Sequence, residues 1–314
     1  LPLDAPTRRR LKLRELDIFI AVVEARGMRK AAEQLHVSQP AVSKAIADLE
    51  RTLKVPLLDR NARGVEPTDY GRVLLKRGIA VFDELREGIK DIEFMTDPAA
   101  GEVRIGSVPP IAANFVSAVI DRLSRRHPRI VFQVVASQTE SLHRELTDRK
   151  VDFLIAERFG PLADEQLGFE WLYDESYGVV AGAQSPWVRR RKIDLTELAN
   201  EPWVLPPPDS APGSIAKNAF LACGLDYPRV AVVTFPREVR MSLVATGRFL
   251  TIAPASVARF PTSRPEFKVL PVDLRIPHVA NGIVTVKGRT LSPVARLFIE
   301  HAREVAKPLA RRKG

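Results

Sequence analysis

Gln39, Ser43 and Lys44 stand at spacings of four and one in the stretch QPAVSK. On a helix beginning at Gln39, its N-terminal half would expose these three hydrogen-bonding side chains. An amide, a hydroxyl and an ammonium are the groups that meet base edges and phosphates. Arg60 and Arg63 follow in a turn-like run, Arg60-Asn61-Ala62-Arg63-Gly64. No comparable set offers catalysis. The chain holds no GxSxG elbow, P-loop or GxGxxG. His36, His127, His143, His278 and His301 are dispersed, without metal-ligand spacing. Cys223 is the only cysteine, which excludes an internal disulfide or a cysteine-built metal site. No catalytic residue, metal or cofactor is assigned.

Two short helices must position the polar set. Met28–Leu35 places Ala31, Ala32 and Leu35 together. The second helix, Gln39 to about Thr52, places Val42, Ile46, Leu49 and Leu53 on one stripe. His36-Val37-Ser38 makes the corner between them. Ser38 is a good N-cap, and Pro40 falls in the first turn, where a missing N–H costs nothing. This is the sequence form of a helix-turn-helix. Any helical hairpin buries an apolar stripe, but a core helix has little reason to begin with so polar an outer face.

The charge agrees with a polyanion partner. The formal net charge is +10 over 314 residues, with +6 of it in the first 82. The length suggests about two domains. LPLDAPTRRR lacks the apolar core of a signal peptide, and no apolar run approaches the roughly 18 residues a membrane span needs. A cytoplasmic location is expected.

Leu11–Arg26 reads as an opening helix ended by Gly27. After the second helix, residues around Arg60 and Arg63 read as a β-wing. Thr68 then caps a long helix from Asp69 to about Thr96. Leu74, Gly78, Val81, Leu85, Gly88, Ile92 and Met95 repeat along it at heptad spacing, predicting a homodimer seam. Asp97-Pro98-Ala99-Ala100-Gly101 breaks the chain. Beyond it, Val103–Ser107, Ile130–Ala136 and Val151–Ala156 read as strands. Ala112–Arg126 and Thr139–Arg149 read as helices between them. Leu172–Ala183, Trp203–Leu205, Gly213–Cys223, Val230–Val233, Phe249–Ala253 and the helix Val294–Ala306 continue the theme. The alternation predicts βαβ units on parallel sheets, arranged as two α/β lobes with a cleft.

With AAEQLHVSQPAVSKAIADLE, PLLDR, EPTDYG and DPAAGEVRIG on the page, the chain resembles a LysR-type transcriptional regulator over essentially its whole length. The resemblance implies an all-α winged helix-turn-helix over about 1–68 and a dimerising linker helix over about 69–98. A two-lobed, periplasmic-binding-protein-like effector domain then covers about 99–314. Lobe I takes about 102–172 and 276–314, and lobe II about 173–275. The implied partners are two-fold duplex DNA, a small-molecule effector and further copies of the chain, as a dimer or a tetramer. RNA polymerase is a candidate further partner. Family DNA contacts match Gln39, Pro40, Ser43 and Lys44, with Arg60 and Arg63 in the wing.

Ligands in open α/β sheets sit beyond the carboxyl ends of strands. That places Ser107, Pro110 and Ile111 at one wall. Family members often carry a hydroxyl where Pro110 stands, and backbone N–H groups further on could replace it. Thr139 matches a family site position and also reads as a helix N-cap. Arg158 turned inward would suit an anionic effector, whereas Glu157 facing the cleft would suit a donor-rich one. Ser210, Thr234 and Phe235 would line the facing lobe. An enzyme, or a passive binding protein with the same lobes, are the competing readings. The first lacks a catalytic motif, and the second leaves the N-terminal motif unexplained.

Overall fold

The computed structural model describes residues 11–61, 64–158, 164–258 and 266–310. The chain forms two compact units that divide within one long helix, between Ile89 and Lys90.

The first unit is helical. α1 (Leu13–Ala25), α2 (Met28–Gln34) and α3 (Gln39–Leu53) enclose a core of Phe19, Val22, Ala31, Val42, Ile46 and Leu49. Ser38 Oγ accepts from the Ala41 N–H, and Pro40 lies in the first turn of α3, as their positions predict. His36 takes the left-handed turn conformation, at φ 54°. At the end of α1 the expectation is corrected. Arg26, not Gly27, takes the left-handed cap position, at φ 54°. Its carbonyl is then turned to accept from Val65 N–H in the wing.

The wing is a hairpin of β1 (Leu58–Asn61) and β2 (Gly64–Pro67), in which Asn61 opposes Gly64. Glu50 of α3 fixes its base, because one carboxylate oxygen accepts from the N–H groups of Leu57 (2.7 Å) and Leu58 (3.3 Å). α4 (Asp69–Thr96) starts from the same place. Thr68 Oγ1 accepts from Gly71 N–H and donates to the Pro56 carbonyl. A side chain on Gly71 would strike the Leu57 carbonyl oxygen at 2.1 Å, so only glycine allows this approach.

Part of the α4 heptad seam packs within the chain itself, which corrects the single-seam expectation. Leu74 packs on the helical core, and buried Gly78 abuts Leu16. Val81, Leu85, Ile92 and Met95 are exposed, with Ile89 beside them.

The second unit holds two five-stranded sheets. The first contains β3 (Ala100–Ser107), β4 (Arg129–Ala136), β5 (Phe153–Arg158) and β6 (Leu167–Glu175). The second begins with β7 (Tyr177–Gly182), followed by β8 (Trp203–Leu205), β9 (Val230–Val233), β10 (Leu250–Pro254) and β11 (Phe267–Val269). β12 (Val279–Val286) returns to the first sheet. The strand orders are β4-β3-β5-β12-β6 and β11-β7-β10-β8-β9.

These sheets are mixed rather than parallel. β12 runs antiparallel to β5 and β6, and β7 antiparallel to β10 and β11. Leu172–Ala183 is not one element, because Ser176 alone separates β6 in the first sheet from β7 in the second. The helix expected from Ala112 opens with a single turn, Pro109–Ile111, and a π-turn, Ala112–Val116. The regular helix α5 (Ser117–Ser124) follows. α6 (Thr139–Thr147), α7 (Ala211–Ala222), α8 (Arg237–Ala245) and α9 (Pro293–Ala310) complete the layers.

Each sheet has its own core. Phe153 meets Phe298 of α9 at 5.5 Å between ring centroids. In the second sheet Trp203 meets Phe220 edge-on at 5.2 Å, and its indole N–H donates to the Leu198 carbonyl. Asp152 anchors the first sheet electrostatically. It is buried and bridges buried Arg289 (3.3 Å), Arg104 (2.8 Å) and Lys90 from the end of α4 (3.7 Å). Among the described residues no helix is long and apolar enough to cross a membrane.

Candidate functional site

α3 seals one face and leaves the other open. Val42, Ile46 and Leu49 are buried, while Gln39, Pro40, Ala41, Lys44 and Ala47 are exposed. The N-terminal half of α3 therefore presents an amide, a pyrrolidine ring and an ammonium to solvent. Ser43 departs from this set. It is half-buried, and its hydroxyl donates to Met28 Sδ at 3.3 Å. The hydroxyl braces α2 against α3. Arg60 lies on β1 opposite Val65, near the tip of the wing. Arg63 lies outside the described residues. Met28 was overlooked in the site reading, and its thioether is what turns Ser43 inward.

The second site lies where the two sheets meet. Glu157, Asn281 and Tyr173 lie side by side on β5, β12 and β6. Directly opposed residues project from one face of a sheet, so the three share a face. The Tyr177 hydroxyl, at the start of the second sheet, donates to Glu157 Oε1 at 2.8 Å. Buried Glu175, at the end of β6, accepts from the Ser256 N–H at 3.1 Å. Two carboxylates of the first sheet therefore reach groups of the second. Burial pushes the Glu157 carboxyl up to about 7; the Tyr177 hydrogen bond opposes that rise, and the neighbouring charge of Glu175 adds to it. Burial also drives the phenols of Tyr173 and Tyr177 well above their ordinary range, helped by both carboxylates.

The expected cleft residues fall into distinct places. Glu157 joins the intersheet cluster. Arg158, its neighbour, points to the opposite face by strand alternation and stacks over the Phe169 ring at 4.5 Å. The two do not form one pair. Ser107 is fully buried, and its hydroxyl donates to the Ile155 carbonyl at 2.7 Å, pinning β3 to β5. Ile111 is buried in the first core, while Pro110 is half-buried.

Thr139 is not an N-cap. Gln138 occupies that position, without a side-chain capping bond, and Thr139 is the first residue of α6. Ser210 caps α7, accepting from Gly213 N–H and donating to the Pro207 carbonyl. Thr234 and Phe235 follow β9, and the Arg240 guanidinium holds both of their carbonyls at 3.0 and 2.5 Å. Phe235 is exposed.

Asn281, Tyr173, Tyr177, Glu175 and Arg240 were missed by sequence reasoning. The one available signal was Asn281, a polar residue inside the apolar run VANGIVTV. No group of three or more potential metal ligands occurs among the described residues.

A winged helix-turn-helix ahead of a two-sheet binding unit defines a class of ligand-responsive transcription factor. The family comparisons make this specific. Residues 13–72 match the model of the bacterial regulatory helix-turn-helix protein of the lysR family, and residues 96–307 match the LysR substrate binding domain. The chain belongs to the LysR family of DNA-binding transcriptional regulators and is not an enzyme.

It is 29% identical to the HTH-type transcriptional regulator GbpR of Azospirillum brasilense, over 96% of this chain and 89% of the relative. In fold it resembles a full-length OxyR variant from Pseudomonas aeruginosa, with a TM-score of 0.68 at 20% identity. That match covers 97% of this chain and 99% of the other. It also resembles full-length CbnR, solved in complex with its target DNA, with a TM-score of 0.55 at 21% identity. The coverage there is 94% and 100%.

Proposed function

We propose that the exposed N-terminal half of α3 enters the major groove and that the wing, through Arg60 and Arg63, grips the flanking backbone or minor groove. The observation that carries this reading is the two-sided character of α3. Its inner stripe is sealed while Gln39, Pro40 and Lys44 stand open. Gln39 supplies base contact, and Lys44 and the arginines supply phosphate contact. Residues 1–68 then form the DNA-reading domain, 69–98 the dimerising linker and 99–314 the effector domain. The exposed half of the α4 seam forms the dimer contact, and two dimers assemble into a tetramer on a two-fold operator. RNA polymerase is the further protein partner this reading admits.

The effector is a small metabolite, an organic acid or a sugar-like molecule, bound between the sheets. In this reading Glu157, Pro110, Thr139, Ser210, Thr234 and Phe235 line that space. The ligand acts through its differential affinity for two arrangements of the sheets.

Gel-shift titration against a fragment upstream of the adjacent gene tests the DNA reading. Contact with roughly six phosphates makes affinity fall about a thousandfold between about 50 and 200 mM salt. Binding that stays flat over that range removes the electrostatic claim.

A further inference from the structure

Arg237 and Arg240 stand one turn apart at the start of α8, on the same face of the helix. Arg240 is only 9% exposed. One of its nitrogens, Nη1, donates to both the Thr234 and Phe235 carbonyls, while Nε and Nη2 donate to no group among the described residues. Arg237 is half-buried and makes no hydrogen bond or ion pair among the described residues. Burial lowers the pKa of both guanidinium groups, and the charge of Arg237 lowers that of Arg240 further. The opposing charge is Glu238, which is exposed and bonded to neither arginine. Two like charges therefore share a partly dry site without a bonded carboxylate. Buried charges are ordinarily paired, because an uncompensated one loses its water for nothing.

The fold places this pair where ligands bind. Thr234 follows β9, and its N–H donates to the Leu205 carbonyl at the end of β8. These two strands run parallel, so Arg240, gripping the Thr234 carbonyl, stands at their carboxyl ends. The helix adds to the same charge. Pro236 occupies the N-cap position of α8 without a side-chain cap, which leaves the first N–H groups of the helix open. A neutral ligand would leave all of these donors without a counter-charge. The paired oxygens of a carboxylate or phosphate match the planar fork of a guanidinium and accept from helix N–H groups as well.

We propose that Arg237, Arg240 and the open first turn of α8 seat the acidic group, carboxylate or phosphate, of an anionic effector. This rests on the reading of the second unit as a small-molecule sensor, and it selects among the ligand classes that reading leaves open. The cation comes from the second sheet's layer rather than from Arg158, which lies over Phe169.

The test is calorimetry on the full-length protein at neutral pH with matched probes. Glucose, gluconate and glucose 6-phosphate form one set, and benzyl alcohol and benzoate another. In at least one set an acidic member binds, and its neutral counterpart binds about tenfold or more weakly. Gluconate against glucose 6-phosphate separates the two kinds of acidic group. Arg237→Gln lowers affinity for the acid about tenfold or more. Arg240→Lys keeps a charge, loses the fork and weakens the acid too; should it fold poorly, the Arg237 variant decides alone. Arg248→Gln, exposed beyond the far end of α8, leaves binding unchanged. A neutral probe that binds more tightly than every acid overturns the inference and leaves the sensor reading intact. Acid binding that neither the Arg237 nor the Arg240 variant weakens overturns the placement of the site. No binding by any probe overturns the inference and removes the support for a small-molecule site as well.

Discussion

Glu157 Oε1 accepts a hydrogen bond from the Tyr177 hydroxyl at 2.8 Å, so the end of β5 is joined to the first residue of the second sheet. Glu175 and Ser256 make a second bond of the same kind. Both bonds flank Ser176, the single residue at which β6 passes into β7.

The first bond gives stability a pH dependence. Burial pushes the Glu157 carboxyl up to about 7, against 4.5 for an unperturbed glutamate. The folded state therefore holds this proton more tightly than the unfolded chain. Its contribution is complete below about pH 4.5 and declines as pH rises toward 7, by up to about 3 kcal/mol. Glu157→Gln removes that slope. Thermal midpoints of the two proteins should converge at about pH 5, with the variant the more stable at about pH 8. A constant difference between them across that range would mean that Glu157 ionises as it does in water.

Gln39 and Ser43 should behave differently in DNA binding. Gln39→Ala should cost about 1–3 kcal/mol on the operator and little on random DNA, because a base contact is lost. Lys44→Ala should weaken both alike and shallow the salt slope. Ser43→Ala should preserve the ratio of specific to random binding, since its hydroxyl is held by Met28. Competition gel shifts separate the three cases.

The two halves of the α4 seam predict two phenotypes. Leu85→Asp places a carboxylate on the exposed stretch, where a partner helix would strip its water. Sedimentation should show dissociation with little change in thermal midpoint at low concentration. Leu74→Asp strikes the helical core instead and should lower the midpoint of the first unit. An intact oligomer for the Leu85 variant would exclude the seam.

Asp152→Ala should be among the most damaging substitutions in the second unit. It removes the carboxylate that buried Arg289 bridges, together with the partner of Arg104 and Lys90. Breaking one side of a buried pair costs about 3–5 kcal/mol. Urea unfolding of the second unit measures it directly.

The helix-turn-helix was legible because its determinants are local. Ser38, Pro40 and the stripe Val42-Ile46-Leu49 each fix structure within one or two turns. The long helix was legible for the same reason, but its neighbours were not. Spacing along α4 cannot tell a contact with Leu16 from a contact with another copy.

In the second unit most failures are nonlocal, the one-residue shift of the α6 cap from Thr139 to Gln138 being the local one. Asn281-Gly282 has the composition of a turn, yet it lies inside β12. Glycine is needed there because an added Cβ would strike the Phe169 ring at 2.4 Å and the Glu170 carbonyl oxygen at 2.2 Å. With that strand unread, the partners of Glu157 could not be assigned. Glu157 and Arg158 looked like one charged pair until strand alternation separated them. Ser107 was found at its strand end, but only the fold shows that its hydroxyl is engaged by Ile155.

The junction at Thr68 and Gly71 has a mechanical consequence. Thr68 is bonded to Pro56, Gly71 touches Leu57, and Glu50 ties that same corner to α3. The start of α4 is thus welded to the reading head rather than tethered to it. Any twist of that helix about its axis turns the head with it, as a crank turns its shaft.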